Sequence, residues 1–476
     1  MFLGIDLGTG SVKAALVGRD GGIAGVASSP YSVRSPRPGR AESDPDEWWR
    51  ASVRAAREAL DRAGEATVEA VGLSGQMHGV VLSGTDGEPL RPAVLWADTR
   101  SEAYLEKYRA LDEDARHRLA NPPAVGMAGP SLLWLQGNEP QSYRSARWAL
   151  QPKDWLRLRL TGEVATEPSD ASATLLYDLR ADGWDREVAE SLGLEARMLA
   201  PLRRSREVVG GLRDEAAGAL GLPAGTPVVA GAADTAAAVV GTALREAGEG
   251  QLTVGTGAQV VVPVSGFAPD PFGMTHLFRS AERRESPLPF YALAALQNAG
   301  LALEWVRGVF GVGWPEFYRE AFSAPPGSEG LVFVPHLGGE RTPRFDAGAR
   351  GLWSGISLSH GRAHLLRAAL EGVAFSIRDG LEALEGRITA ERLRLAGGGS
   401  LDGRWREMLA DVLGVRLVPL PESVAASASA RGAAMLAASA LGVELPTPPP
   451  DVRNTVEPAG SGDYVESYAR YRTLAS

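Results

Sequence analysis

The stretch Ile5-Asp6-Leu7-Gly8-Thr9-Gly10-Ser11 sets a strand end, a carboxylate and a Gly-rich turn side by side. The residues just beyond it decide the fold. Residues 11–17 alternate, with Val12, Ala14 and Leu16 on one face, which is the two-residue period of a strand. The opening therefore reads strand–turn–strand. Dinucleotide and P-loop sites need strand–turn–helix, and this turn lacks both the third glycine of GxGxxG and the GK[ST] of a Walker loop. Both are excluded.

The same arrangement returns about half a chain later, in QLTVGTGAQVVV at 251–262. Gly255-Thr256-Gly257 matches Gly8-Thr9-Gly10. Leu252 and Val254 stand for Ile5 and Leu7, and Thr253 replaces Asp6. Two halves that open on one hairpin imply a duplicated α/β fold with a cleft between the copies. The expected division is 1–243, 244–445, and a Pro-rich connector with a final helix over 446–476.

Composition agrees with this size. A chain of 476 residues exceeds one compact core. Apolar content of 44% and charged content of 22% are those of an ordinary globular protein. The net charge of −9 argues against a nucleic-acid partner. Cysteine is absent, which excludes disulfides, thiolate metal sites and a Cys nucleophile. Lysine occurs only as Lys13, Lys107 and Lys153. The N-terminus is unlike a leader, and no apolar run reaches roughly 18 residues. The expectation is a cytoplasmic enzyme, monomeric or homodimeric, without membrane contact.

Local signals define other elements. Asp44-Pro45-Asp46-Glu47 reads as a helix start, with Asp44 as cap, Pro45 in the first turn and Glu47 closing a capping box. Residues 70–81 read as two strands around the polar loop Gln76-Met77-His78. Residues 228–230 read as a strand running through Gly231-Ala232-Ala233-Asp234 into a helix. A strand at 392–395 leads through a Gly397-Gly398-Gly399-Ser400 turn to a helix over 402–413, ended by Gly414.

Several residues could carry chemistry. A tight Gly turn offers backbone N–H groups to an anion, and Thr9 or Ser11 adds hydroxyl donors. One such turn is an ordinary hairpin; a related pair, with Thr9 and Thr256, reads as phosphate binding. Lys13 lies within reach of a terminal phosphate. A carboxylate is tolerable beside phosphate when a cation sits between them, so Asp6 reads as facing Mg²⁺ through water; the alternative is a strand-end Asp making a turn bond. Asp234 sits among residues too small to cover it, at the sheet edge where α/β folds bind ligands. Its segment alone reads first as a helix cap. The second reading is a general base kept ionised by the helix N-terminus. Gln76, Met77 and His78 form a polar loop suited to a polyol, although a lone His is more often structural. The 397–399 glycines suit a nucleotide or close packing. HExxH and GxSxG are both absent, so zinc and serine hydrolases have no support.

Together these pieces resemble the FGGY family of carbohydrate kinases, over nearly the whole chain. The matching stretches include GIDLGTGSVK, GLSGQMHG at 72–79, LRPAVLWADTR at 90–100, the QPKDWLRLRLTGEVATEPSDASATLLYDL run at 151–179 and VVAGAADTAAAVVG at 228–241. They continue with TVGTGA at 253–258, VPHLGGERTPRFDAGARG at 334–351 and AGGGSLDGRWREMLADVLG at 396–414. The resemblance implies a duplicated actin/hexokinase/Hsp70-like (ribonuclease H-like) fold flanking a deep cleft. It implies ATP- and Mg²⁺-dependent phosphorylation of a ketopentose, D-xylulose foremost, at the 5-hydroxyl. Ribulose, arabitol and a catalytically silent sugar sensor are the alternatives. It makes Asp234 the base; Met77, His78, Trp96, Asp234 and Thr235 the sugar contacts; and Asp6 and Asp234 the metal side. Thr9, Gly10, Ser11, Lys13, Gly255, Thr256, Gly257, Gly398, Gly399 and Ser400 become the nucleotide side. The family more often has Asn where Thr235 and Ala97 stand, and an acid within 422–435; these departures bear on which sugar is used.

Overall fold

The computed structural model describes residues 1–281, 287–384, 390–400, 402–449, 452–460 and 462–476. Its first sheet contains β1 (Phe2–Leu7), β2 (Ser11–Val17), β3 (Ile23–Pro30), β4 (Ala70–Gly75), β5 (Val208–Gly211), β6 (Pro227–Val229) and β7 (Ala232–Ala233). The strand order is β5-β6-β4-β1-β2-β3, and β7 also pairs with β4. The second sheet contains β8 (Glu249–Val254), β9 (Ala258–Val264), β10 (His276–Arg279), β11 (Phe290–Leu296), β12 (Arg392–Ala396) and β13 (Arg416–Pro419), in the order β10-β11-β9-β8-β12-β13.

The duplication is visible in the pairing. In the first sheet β1 is antiparallel to β2, β2 antiparallel to β3, and β4 parallel to both β1 and β6. In the second, β8 is antiparallel to β9, β9 antiparallel to β11, and β12 parallel to both β8 and β13. One sequence of directions thus occurs twice, each time opened by the GTG hairpin.

The helices that position the site are α1 (Pro45–Ala63), α2 (Pro152–Thr161), α3 (Asp234–Gly241), α4 (Gly300–Phe310), α5 (Trp314–Ala321), α6 (Arg362–Leu384), α7 (Gly403–Leu413), α8 (Ala428–Ala440) and α9 (Val465–Ala475). Asp44 caps α1 as expected, accepting from the Asp46 N–H at 3.0 Å. Glu47 does not close a capping box. Its carboxylate takes the Ser32 N–H and Arg34, both at 2.9 Å, because the preceding loop brings stronger donors than the cap's own N–H. At the other end of the chain, Tyr468 and Tyr471 of α9 pack against Phe375 of α6, each at 5.7 Å between ring centroids.

Each half has its own buried core, and a third core lies between them. This middle core is built from small residues. A methyl group on Gly4 would lie 1.8 Å from the Ala430 carbonyl oxygen, and one on Gly72 1.8 Å from that of Ala433. Helix α8, from the second half of the chain, therefore lies with its backbone directly on β1 and β4. Backbone contact this close leaves no room for a side chain.

Candidate active site

Two carboxylates meet at one edge of the first sheet. Asp6 is opposite Ser74 in the β1–β4 ladder; Ala232 is opposite Ser74, and Ala233 opposite Gly75, on the other side of β4. The chain then enters α3 at Asp234. Asp6 and the turn bearing Asp234 thus flank one strand, with backbones roughly 10 Å apart at ordinary strand spacing. The Ser74 hydroxyl donates to Asp6 Oδ1 at 2.6 Å. Burial raises the Asp6 pKa, against the opposing effects of Ser74 and the Lys13 charge.

Asp234 is not the cap of α3. Ala233 holds that position without a side-chain cap, and Asp234 is the first helical residue. Its Oδ1 accepts from the Thr235 N–H at 2.6 Å and the Thr235 hydroxyl at 3.2 Å. Contrary to the expectation from sequence, the helix N-terminus does not keep this group fully ionised. Burial, and then the charge of Asp6, push its pKa up to about 7 despite the Thr235 bonds. A carboxylate poised near neutrality suits proton abstraction better than one of ordinary acidity. The Asp234 carbonyl accepts from Ser429 Oγ at 3.0 Å. Lys13 Nζ donates to the carbonyl of Ala426. Both contacts tie this edge to the start of α8.

A second group of predicted residues lines the same edge. Trp96 Nε1 donates to Thr9 Oγ1 at 2.8 Å, so the indole is bolted to the first hairpin. His78 has a left-handed backbone, with φ at 72°. His78 Nδ1 lies 2.8 Å from the Ala173 carbonyl, so Nδ1 carries the hydrogen and Nε2 is left an acceptor. Burial lowers the His78 pKa to about 4, against the Ala173 bond and with the Arg341 charge adding. A neutral acceptor is what an uncharged polyol requires. Met77 is buried, and Tyr291 O–H approaches its sulfur at 3.8 Å. Gln76 points elsewhere: its amide donates to the Gly8 carbonyl at 3.4 Å and to Tyr31 Oη at 3.2 Å. The amide nitrogen braces the hairpin, while Oε1 is buried with no hydrogen-bond partner among the described residues.

The second half contributes residues that no local signal reveals. Arg341 places its guanidinium 4.8 Å from the Trp96 ring centre. Phe278 lies 6.0 Å from the His78 ring and stacks on His276 at 5.4 Å. The ERTPRF stretch stands out only through the family resemblance, since a loop has no periodicity to read.

The second hairpin opens on a cavity of about 530 Å³. Gly255, Thr256, Gly398 and Gly399 line it, as expected, together with Trp314 and Tyr318. The last two rings stack at 5.7 Å. In sequence they are an apolar helix stripe, indistinguishable from core. The glycines serve different ends. Gly397 has φ at 95° and would drive a methyl to 2.2 Å from the Val254 carbonyl, whereas a methyl on Gly398 would meet nothing within 4 Å. Gly257 lies outside the cavity lining; its close neighbour is the Leu296 carbonyl, 2.4 Å from where a methyl would sit. The Ser400 side chain lies outside the described residues. Gly10 and Ser11 belong to the first hairpin with Thr9, and Lys13 follows on β2. The predicted nucleotide residues are therefore divided between the two hairpins and the turn after β12. Among the described residues there is no group of three or more His, Asp or Glu arranged for a metal, and no helix long and apolar enough to cross a membrane.

The family model for the N-terminal domain of the FGGY family of carbohydrate kinases matches residues 1–241, and that for the C-terminal domain matches 251–441. The chain belongs to the FGGY family of carbohydrate kinases. Among its relatives, this kinase is 34% identical over 419 residues to the xylulose kinase of Escherichia coli (strain K12), covering 88% of this chain and 86% of that one. It is 32% identical over 444 residues to the xylulose kinase of Bacillus subtilis (strain 168), covering 92% and 87%. Its fold is that of a crystal structure described as a xyloylose kinase from Brucella ovis, with a TM-score of 0.90 and 34% identity over 99% of this kinase and 98% of that chain. The duplicated α/β architecture expected from the two hairpins is the fold of these sugar kinases.

Proposed function

We propose that this kinase transfers the terminal phosphoryl group of ATP to the 5-hydroxyl of D-xylulose, releasing ADP and D-xylulose 5-phosphate. The observation that carries the mechanism is Asp234, held at a strand–helix junction beside Asp6 with its pKa raised to about 7. The sugar lies against the first sheet edge, where His78 Nε2 and the Trp96 face receive it. ATP occupies the cavity beside the second hairpin, its phosphates directed across the cleft. Asp234 accepts the hydroxyl proton as the new O–P bond forms and the bond to ADP breaks. Positioning supplies most of the acceleration, because the phosphoryl transition state is loose.

The donor set at Asp6 and Asp234 fits Mg²⁺. This ion takes one or two carboxylates and completes its shell with water and phosphate oxygens, and Asp6 lies close enough to raise the Asp234 pKa by its charge. When bound, it neutralises charge on the phosphates. Lys13 and the hairpin N–H groups face the same region. Closure of the halves excludes water, which limits wasteful ATP hydrolysis.

The choice of xylulose rests on the names of the relatives; Thr235 and Ala97 keep ribulose and arabitol as the second reading. A panel of ketopentoses and pentitols in a coupled ADP-release assay tests both. D-xylulose is expected to give the highest kcat/KM. A higher value for another sugar would reassign the substrate, and ADP release unaffected by every sugar would overturn the reaction.

A further inference from the structure

Behind the Asp234 turn lies a cluster of ionic side chains that the reaction does not touch. Lys153, Asp154 and Arg157 come from α2; Glu167 and Asp170 come from the short helix Pro168–Ala171 and its cap. All five are 0% exposed. Lys153 Nζ lies 2.8 Å from Asp154, 2.9 Å from Asp170 and 3.4 Å from Glu167, and Arg157 lies 2.9 Å from Asp154. Buried ion clusters are poor stabilisers, since apolar groups of equal volume commonly serve as well or better. Stability is therefore a weak reason for this one.

Its bonds lead to three of the four residues before Asp234. Arg157 Nη1 donates to the Ala230 carbonyl at 2.8 Å. The Gly231 N–H donates to the Ser205 carbonyl at 2.8 Å, and the Ser205 hydroxyl donates to Glu167 Oε2 at 2.9 Å. The Ala233 N–H donates to Ser169 Oγ at 3.0 Å, and that hydroxyl donates to Glu167 Oε1 at 2.8 Å. One carboxylate thus holds the turn from two sides, and Lys153 holds the carboxylate.

We propose that Glu167, clamped by Lys153, is a positioning residue that acts through Ser169 and Ser205 to aim the Asp234 carboxylate at the substrate hydroxyl. The proposal rests on Asp234 being the base. A displacement of about 1 Å at a reacting group costs roughly 10²-fold in rate, so small losses of support are measurable. Ser169→Ala removes one bridge and leaves every ion in place. Its kcat is expected to fall roughly 10- to 100-fold, with the KM for ATP within about twofold of wild type and the melting temperature nearly unchanged. Ser205→Ala removes the Ser205–Glu167 bond and keeps the backbone bond to Gly231, with the same pattern and a smaller loss, and carries the test if Ser169→Ala does not fold.

The proposal is overturned if both variants keep kcat within about twofold. It is overturned equally if kcat, the KM for ATP and the melting temperature all worsen together, the mark of a merely structural role. Asp234→Ala, measured alongside, separates the two levels. Wild-type turnover in Asp234→Ala removes the base and this proposal with it. Lost turnover in Asp234→Ala with full turnover in both serine variants removes the positioning role alone.

Discussion

The two GTG hairpins share a strand order and differ in charge: the first carries Asp6 and Lys13 where the second has Thr253 and Val260. At the end of β1 stands Asp6, bonded to Ser74; at the equivalent point of β8 stands Thr253, whose hydroxyl accepts from Gln251 Nε2 at 3.1 Å. Around Asp6 gather Asp234, His78 and the Trp96–Thr9 pair, all polar and close-set. The second hairpin opens on the cavity lined by Trp314 and Tyr318, with Glu304 and Asp402 at its wall. Repeating a scaffold repeats its backbone donors. It does not repeat the charge, and the proposed mechanism assigns cation binding and proton transfer to the copy that carries the carboxylate. In the proposed mechanism the second copy holds the nucleotide by shape and backbone donors.

If this division is right, damage to one hairpin's surroundings leaves the other's ligand alone. The largest effect is expected at the base: Asp234→Ala lowers kcat roughly 10²- to 10⁴-fold with an unchanged melting temperature and an unchanged affinity for nucleotide measured without Mg²⁺. Turnover near wild type would place the base elsewhere. Next comes pH. Asp234 acts unprotonated, and without metal its pKa is raised to about 7, so kcat/KM for the sugar falls as pH drops below neutrality, with the break moving lower as Mg²⁺ is raised. The fall approaches tenfold per pH unit on the acid side. A flat profile from pH 8 to 5, in a pH-rate series at fixed Mg²⁺, would contradict this.

Gly398→Val fills open space in the cavity and is expected to raise the KM for ATP roughly tenfold, with the KM for sugar unmoved. The smallest effect is the mirror image. His78→Ala removes one neutral hydrogen bond, so the KM for sugar rises about fivefold while that for ATP holds. Steady-state kinetics with each substrate varied in turn checks both, and equal weakening of both substrates in either variant would break the comparison.

Much of this is legible in the sequence because hairpins and strand ends are local. Alternation over 11–17 separates a strand from a helix, and the second GTG exposes the duplication. Asp6 and Asp234 stand out because the glycines or alanines beside each are too small to cover a carboxylate. Their properties are less accessible. The position of Asp234 inside the helix, and its raised pKa, depend on Ala233 taking the cap and on Asp6 lying across β4. Both are facts of sheet register. Gln76 reads as a ligand residue in sequence because its true partner, the Gly8 carbonyl, is distant along the chain. Trp314, Tyr318 and Arg341 escape notice for a related reason: an aromatic on an amphipathic helix reads as core, and a loop Arg reads as surface. The Lys153 cluster is equally silent, since burial of an ion leaves no mark on its own segment.

The most direct test is a crystal structure with D-xylulose and a non-hydrolysable ATP analogue bound together. The Asp234 carboxylate is expected within hydrogen-bond distance of the sugar's 5-hydroxyl, with that oxygen in line with the analogue's terminal phosphate. A sugar bound with Asp234 turned away from every hydroxyl, or walled off behind closed protein, would contradict the mechanism.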